Sequence, residues 1–333
     1  MQLKEKNGIE KKQSRMMRLV MFAIDRREVT LVILILALGA FLTWVSPNFL
    51  SAANFSVMLN AIGTDIIVAV PMAFCMIAGH SDFSVGSNVC LSSILAGMAM
   101  NAGASPIVGI LIGLACGAIL GYIMGFAVNH KVPTFVATLG GMYAYRGIAM
   151  VLCGATSITG FERSFLNLGR FTIAGIRAPI IYAAIMIIIG HFVLKYVNFF
   201  HNAYYIGSNV SSATLAGINS KKYLSVAFTL TGLFCGVAGL VLCARVGSVS
   251  VNTATDLHFK NIVGLMVGGV SNHGGTGSLI GGMLGILFMQ MLDNALVMLY
   301  IDPNYNQIFI GAILILAVAL DQFVSDYRAK VHT

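Results

Sequence analysis

The sequence predicts an all-α integral membrane protein of about ten transmembrane helices, with both termini in the cytoplasm. Three observations predict it. Of 333 residues, 58% are hydrophobic and 10% charged, with mean hydropathy +0.87; soluble domains carry about 25% charge. The apolar residues gather in runs near the ~20 that cross a bilayer core. Glycine is abundant, 36 of 333, as in membrane helices whose backbones pack closely. The length alone would hold two soluble domains. The composition excludes an ordinary cytosolic enzyme and a disordered chain.

Residues 1–28 form a basic head. It holds eight of the 20 Lys and Arg: Lys4, Lys6, Lys11, Lys12, Arg15, Arg18, Arg26 and Arg27. The positive-inside rule keeps such a head in the cytoplasm. A nucleic-acid-binding tail is excluded, because membrane follows it and not a domain with a basic face. The first apolar run, 29–45, is long for a signal-peptide core and lacks a small-x-small cleavage site, so it is read as a retained span. The further runs are 57–79, 86–101, 107–128, 134–153, 179–198, 224–243, 259–271, 278–299 and 305–321.

Ten crossings make 29–321 a membrane domain and return the tail, 322–333, to the cytoplasm. The charges agree at three places. Lys221 and Lys222 sit in the inner loop 199–223, Lys131 in the inner turn 129–133, and Arg328 and Lys330 in the tail. The loop 154–178 is the exception: Arg163, Arg170 and Arg177 fall on the outer side. The run 259–271 is short for a span and reads as a broken or re-entrant helix, which is stable only against protein or water. Cys75, Cys90, Cys116, Cys153, Cys235 and Cys243 lie in or beside apolar runs without a Cys-x-x-Cys pair. They read as packing residues with no disulfide framework.

Glycines recur every four residues in three runs. Gly109, Gly113, Gly117, Gly121 and Gly125 fill the fourth, Gly277, Gly281 and Gly285 open the ninth, and Gly232 with Gly236 sits in the seventh. Four residues overshoot one helical turn by about 40°. The ladder is therefore a groove that drifts around its helix and admits a neighbour at close range. Static packing and a surface where helices slide both remain open. A fainter echo links Gly79–Ser87 to Gly269–Ser278, each joining an inward-running span to an outward-running one, as repeated halves do in transporters.

Ionisable residues inside a bilayer need partners or water. Asp65, Arg146 and Asp293 each lie six or seven residues below an outer helix end, roughly 9–10 Å deep. Equal depth groups them, with Asn60 and Asn294, as the polar lining of a solute path or as an ion pair joining helices. Enzymatic chemistry is absent. Gly269–Thr276 begins like a phosphate-binding loop, but Gly275 stands where its Lys belongs. No His-Glu-x-x-His spacing or Gly-x-Ser-x-Gly elbow occurs, and no metal site is expected.

Gly79-His-Ser-Asp82-Phe-Ser84-Val-Gly86-Ser87 resembles the Gly-Gly-Ile-Asp-Leu-Ser-Val-Gly-Ser signature of the monosaccharide-type ABC importer permeases (ribose, xylose, arabinose, galactoside), and three further segments resemble theirs. Val132-Pro133-Thr-Phe-Val-Ala-Thr138-Leu-Gly140, then Arg146-Gly147, resembles Pro-Phe-Ile-Ala-Thr-Leu-Gly…Arg-Gly. Gly207-Ser-Asn209, Ala213 and Ala216-Gly217-Ile218-Asn219 resemble Gly-x-Asn…Ala…Ser-Gly-Ile-Asn. Gly268-Gly269-Val-Ser-x-x-Gly274-Gly275-x-Gly277-Ser278 resembles Gly-Gly-x-Ser-x-x-Gly-Gly-x-Gly-Ser. Asp321 matches the terminal Ala-Val-x-x-Asp. The motifs keep register from about residue 47 to 322.

The resemblance implies a permease subunit of the bacterial inner membrane that works as a pair with a second copy or a close homologue. ATP-binding subunits would dock inside and a periplasmic sugar-binding protein outside. ATP and Mg²⁺ would belong to the ATPase, leaving this chain with no cofactor and no catalytic residue. The loop 199–223 would carry the coupling helix, with Gly207, Asn209, Ala213, Ala216, Gly217, Asn219, Lys221 and Lys222 at the ATPase. An ion-coupled transporter that needs no ATPase is the alternative. Two departures bear on the cargo. Leu257-His258-Phe259-Lys260 stands where Tyr-Glu-Leu-Asp is usual, and Asp293 where Asn is common. They point to a less typical solute, such as another furanose or a signalling sugar.

Overall fold

A computed structural model describes residues 27–154, 156–302 and 305–331. The head before Arg27, the final two residues, and the side chains of Asp321, Arg328 and Lys330 lie outside the described residues. The chain is helical: α1 Arg27–Val45, α2 Ala52–Ile77, α3 Val85–Asn101, α4 Pro106–Asn129, α5 Thr134–Cys153, α6 Arg163–Arg170, α7 Ala178–Tyr196, α8 Asn198–Ser208, α9 Val210–Leu215, α10 Ser220–Val246, α11 Leu257–Val267, α12 Leu279–Met298 and α13 Asn306–Val331. Short strands β1 (Ile158–Thr159), β2 (Thr172–Ile173), β3 (Ile176–Arg177) and β4 (Ser248–Val249) complete it.

Local chemistry sets several helix starts. Ser51, Ser105, Asn209, Asn219 and Ser278 each accept a backbone N–H from the first turn that follows, and Pro106 opens α4 at the position where no N–H is needed. Gly247 ends α10 in the left-handed conformation, φ 85°.

Each of the ten apolar runs lies mainly on a helix, with 57–79 and 259–271 running past the ends of α2 and α11. Among the described residues seven helices are long and apolar enough to span: α1, α2, α4, α5, α7, α10 and α12. Helix α3 has 17 residues, and the apolar part of α13 is Gln307–Ala319. Helix α11 has 11 residues, about 17 Å, half a bilayer core. It is the short helix expected at 259–271.

The loop 154–178 holds more structure than its composition indicates. It folds into β1, α6 and a β2–β3 hairpin turned by Ala174 and Gly175, φ 50° and 82°. Strand β1 pairs antiparallel with β4, Ile158 opposite Val249.

Helix α2 is the centre. Residues 62–78 are all buried, on every face, so it packs against helices all round. The outer helices α1, α4 and α7 expose apolar side chains such as Ile33, Leu111 and Ile188, the surface a bilayer covers.

The glycine ladders are helix contacts at backbone distance. On α4, a methyl added at Gly109 would strike Met100 of α3, one at Gly113 would meet both Ala96 of α3 and Leu240 of α10, and ones at Gly117 and Gly121 would overlap backbone of α10 at Gly232 and Phe228. The groove thus turns from α3 to α10 along its length, as the 40° drift requires. Gly232 and Gly236 answer it from α10. On α12, Gly281 and Gly285 meet the carbonyls of Gly268 and Gly264 at the end of the short α11.

Gly121→Val should destabilise the protein by at least the ~1–3 kcal/mol usual for overpacking, read as a lower Tm and loss of monodisperse protein in detergent. Gly311→Ala, where the added carbon meets nothing, should stay within about 0.5 kcal/mol of the parent.

Candidate functional site

A buried charge cluster joins three helices at the centre. Lys260 of α11 reaches Asp65 of α2 at 2.8 Å and Asp293 of α12 at 2.6 Å. It also donates to Oε1 of Gln290. The Lys260 and Asp65 side chains are each 12% exposed. Asn261, the next residue, donates to the Asp65 carbonyl at 3.2 Å. Arg245 at the end of α10 donates to the Asn60 carbonyl, nearer the start of α2. With Arg245 counted, two positive groups stand against two carboxylates.

Equal depth grouped Asp65, Arg146 and Asp293; the structure joins only the two aspartates, through a lysine. Arg146 lies apart on α5. Its guanidinium donates to the carbonyls of Val251, Thr253 (2.8 Å) and Ala254 (3.5 Å). Those carbonyls belong to the irregular segment between β4 and α11, which runs beside Cys90 and Gly86 of α3. Asn294 exchanges amide hydrogen bonds with Asn54 at 2.7 and 3.0 Å, and the Asn60 amide donates to the Ser56 carbonyl. Neither side chain bonds to Lys260, Asp65 or Asp293; Asn60 meets the cluster only through its backbone carbonyl, at Arg245.

Sequence reasoning read Lys260 only as a motif departure. Its signal lay in a second departure of opposite sign, Asp293. The two are ion-paired, so the gain of a cation on α11 is matched by an anion on α12.

A polar belt surrounds α11. His258 is 4% exposed, and neither ring nitrogen has a partner. Ser87 Oγ, Asn261 Oδ1, Asn60 Oδ1 and Asp293 Oδ1 are also buried without a hydrogen bond. Each such group costs about 1–3 kcal/mol. Aromatic rings adjoin them: His258 lies 4.2 Å from Phe259 and 6.4 Å from Phe83 by centroids, and Phe83 meets Phe135 edge-on at 5.4 Å. Gly86 lets His258 approach, since a Cβ there would sit 3.2 Å from Nδ1. Unpaired hydrogen-bonding groups beside ring faces suit a small hydroxyl-rich solute.

The signature loops meet at the other end of α2. Ser81 donates to Asn272 at 2.8 Å, and the Gly275 N–H donates to the Ile77 carbonyl at 2.8 Å. A Cβ at Gly274 would lie 2.6 Å from the Gly79 nitrogen and 3.0 Å from the Gly207 Cα. The two echoing segments thus touch, and the end of α8 sits against both. Tyr204 of α8 donates to the Gly277 carbonyl at 2.9 Å. Around this junction Asp82 accepts from the N–H and hydroxyl of Ser84 at 2.8 and 2.7 Å. Pro133 precedes α5, whose Thr138 donates to the Thr134 carbonyl at 2.9 Å.

The family described as "Branched-chain amino acid transport system / permease component" matches residues 51–318. The autoinducer 2 import system permease protein LsrC of Enterobacter sp. (strain 638) is 31% identical over 299 residues, covering 90% of this chain and 87% of that one. The proteins of the same name from Salmonella typhi and Escherichia coli O157:H7 are each 29% identical over 301 residues, covering 90% of this chain and 87% and 88% of theirs. No solved structure matches.

Lys260→Met would leave two buried carboxylates without their cation and should cost about 3–5 kcal/mol. Adding Asp293→Asn should recover a good part of that loss. Thermal unfolding of the two purified variants tests the pairing; a double variant no more stable than the single would refute it.

Proposed function

The chain belongs to the branched-chain amino acid transport system / permease component family, and on that premise we propose that it is the membrane subunit of a binding-protein-dependent ABC importer. It is a multi-pass protein of the bacterial inner membrane. Its cargo is a monosaccharide-like solute. Autoinducer 2, named for the relatives, comes first among the candidates.

The junction of Gly207 with Gly79 and Gly274 carries this reading. A partner ATPase on the cytoplasmic side would grip α9 and the loop 199–223. Leu215 at the tip of α9 is 91% exposed. A groove of about 310 Å³ beside it is lined by Tyr205, Asn209, Ala213 and Ala216. Lys221 and Lys222 follow Asn219 at the start of α10 and would meet acidic groups. Gly217, φ 82°, supplies the turn between α9 and α10 that only glycine makes without strain. Because α8 ends on both signature loops with no side chain between, a push on α9 reaches α2, α3 and α12 together.

A second copy, or a close homologue, would complete the path. Helix α5 exposes Phe135, Val136, Tyr143 and Val151 along one side, and Phe135 belongs to the aromatic group beside His258. The outer segments around β1 and β4 would receive the periplasmic binding protein. ATP binding and hydrolysis in the partner would alternately open the belt to each side. The ion-coupled alternative gives no role to the exposed Leu215 or the triple glycine contact.

In proteoliposomes with its ATPase and binding protein, uptake should require ATP, and Leu215→Asp should lower binding-protein-stimulated ATPase about tenfold or more, the effect of losing an apolar anchor at an interface centre. Uptake by this chain alone on an ion gradient would overturn the reading. Ser87→Ala and His258→Gln should raise the KM for solute while basal ATPase persists. Arg146→Gln should lower uptake more steeply than either, because it frees three carbonyls of the segment leading into α11.

A further inference from the structure

We propose that α7, α8 and the start of α12 form a headgroup site for an anionic phospholipid, in the leaflet on the side of α9. The cavity there has a volume of about 330 Å³. Its basic residues are His191 and Lys195 from the last turns of α7 and His201 from α8, with Tyr204 and Ser278 opposite.

Three observations assign the ligand. The first is uncommitted positive charge. Among the described residues Lys195 has no carboxylate partner, and its ammonium rests 5.1 Å over the ring of Tyr196. His201 donates through Nδ1 to the Leu194 carbonyl at 3.2 Å; a carbonyl only accepts, so Nδ1 carries a proton and Nε2 is left free. Nε2 can then accept from a headgroup hydroxyl. The start of α12 is not the attraction. Its Ser278 hydroxyl already donates to Glu28, so the anion belongs with Lys195 and the histidines.

The second is an apolar track that leads to the charge. Ile185, Ile188, Ile189 and Phe192 are 47–57% exposed and follow the i, i+3, i+4, i+7 spacing of one helix face. Lys195 and Tyr196 continue that face at the membrane surface, where a long basic side chain and a tyrosine settle at headgroup level. Acyl chains along the track would bring a phosphate to the cavity. A free phosphate would have no use for the track.

The third is position. Tyr204 lines the cavity and holds the Gly277 carbonyl, and the same α8 carries Gly207 into the loop junction. A phospholipid here would brace α8 against α12 at the point where coupling force would pass. Basic pockets between transmembrane helices hold anionic lipid headgroups by this chemistry. The assignment of the leaflet rests on the importer reading; the site itself does not.

The purified full-length chain in detergent is titrated with phosphatidylglycerol or phosphatidylcholine, and retained lipid is read by native mass spectrometry. Phosphatidylglycerol should be retained over phosphatidylcholine. Lys195→Gln should weaken that preference about fivefold, the attraction one cation near an anionic surface supplies. Adding His201→Gln should abolish it, and Lys195→Arg should keep it. Millimolar inorganic phosphate should not displace the lipid. Equal retention of the two lipids, an unchanged preference in Lys195→Gln, or displacement by inorganic phosphate would each overturn the proposal. Lys195 is exposed, so its variant keeps the test open if the double variant fails to fold. Retention is read without ATPase or solute, so its failure leaves the importer reading standing, and failed ATP-driven uptake leaves the lipid site standing.

Discussion

Backbone taken into a bilayer must keep its N–H and C=O groups paired within the protein. Most of this fold follows from that constraint. Regular helices meet it alone, and the long apolar helices are its simplest product. Where the chain leaves helical form inside the bundle, something else has to do the pairing. Arg146 does so for the segment entering α11, holding the carbonyls of Val251, Thr253 and Ala254. At the opposite end the Gly275 N–H of an irregular loop pairs with the carbonyl of Ile77, the last residue of α2. Glycine serves the same constraint from another side, because backbones brought this close leave no room for a Cβ.

Charge obeys a parallel rule. A lysine at the centre of the bundle is tenable only with its anions beside it, and Lys260 has two. The cluster ties the half-length α11 to α2 and α12, which a helix of 11 residues could not achieve by span and lipid contact. It also ties the charges of Asp65 and Asp293 to Lys260, while Asp293 Oδ1 stays without a hydrogen bond. The groups left over are neutral or uncommitted: His258, Ser87 and the Asn261 carbonyl oxygen. Retaining unpaired polar atoms beside aromatic rings makes sense where a hydroxylated solute supplies the missing partners.

In the proposed importer, function would sit between two ends of one helix system. The belt around α11 lies at one level and the glycine junction at another, and α2 and α12 run through both. A coupling element that touches the two signature loops at once can act on both sides of α11 without a long relay. The cavity between α7 and α8 lies on the flank of that junction, where lipid composition can bear on it.

The sequence by itself determined the membrane class, the close-packed glycine faces and the short helix α11, because composition and period are local properties that any bilayer reads the same way. It also carried the compensating pair Lys260 and Asp293, though only as two separate oddities. Tertiary structure decided where α3 begins, at Val85, after Asp82 has accepted the N–H and hydroxyl of Ser84. It decided that Arg146 serves carbonyls and not carboxylates. Depth along a helix says how far a residue lies from the surface; only the rotation and tilt of neighbouring helices say whom it meets. For that reason three charges at equal depth resolved into one lysine-centred cluster and one arginine that holds a strand of backbone.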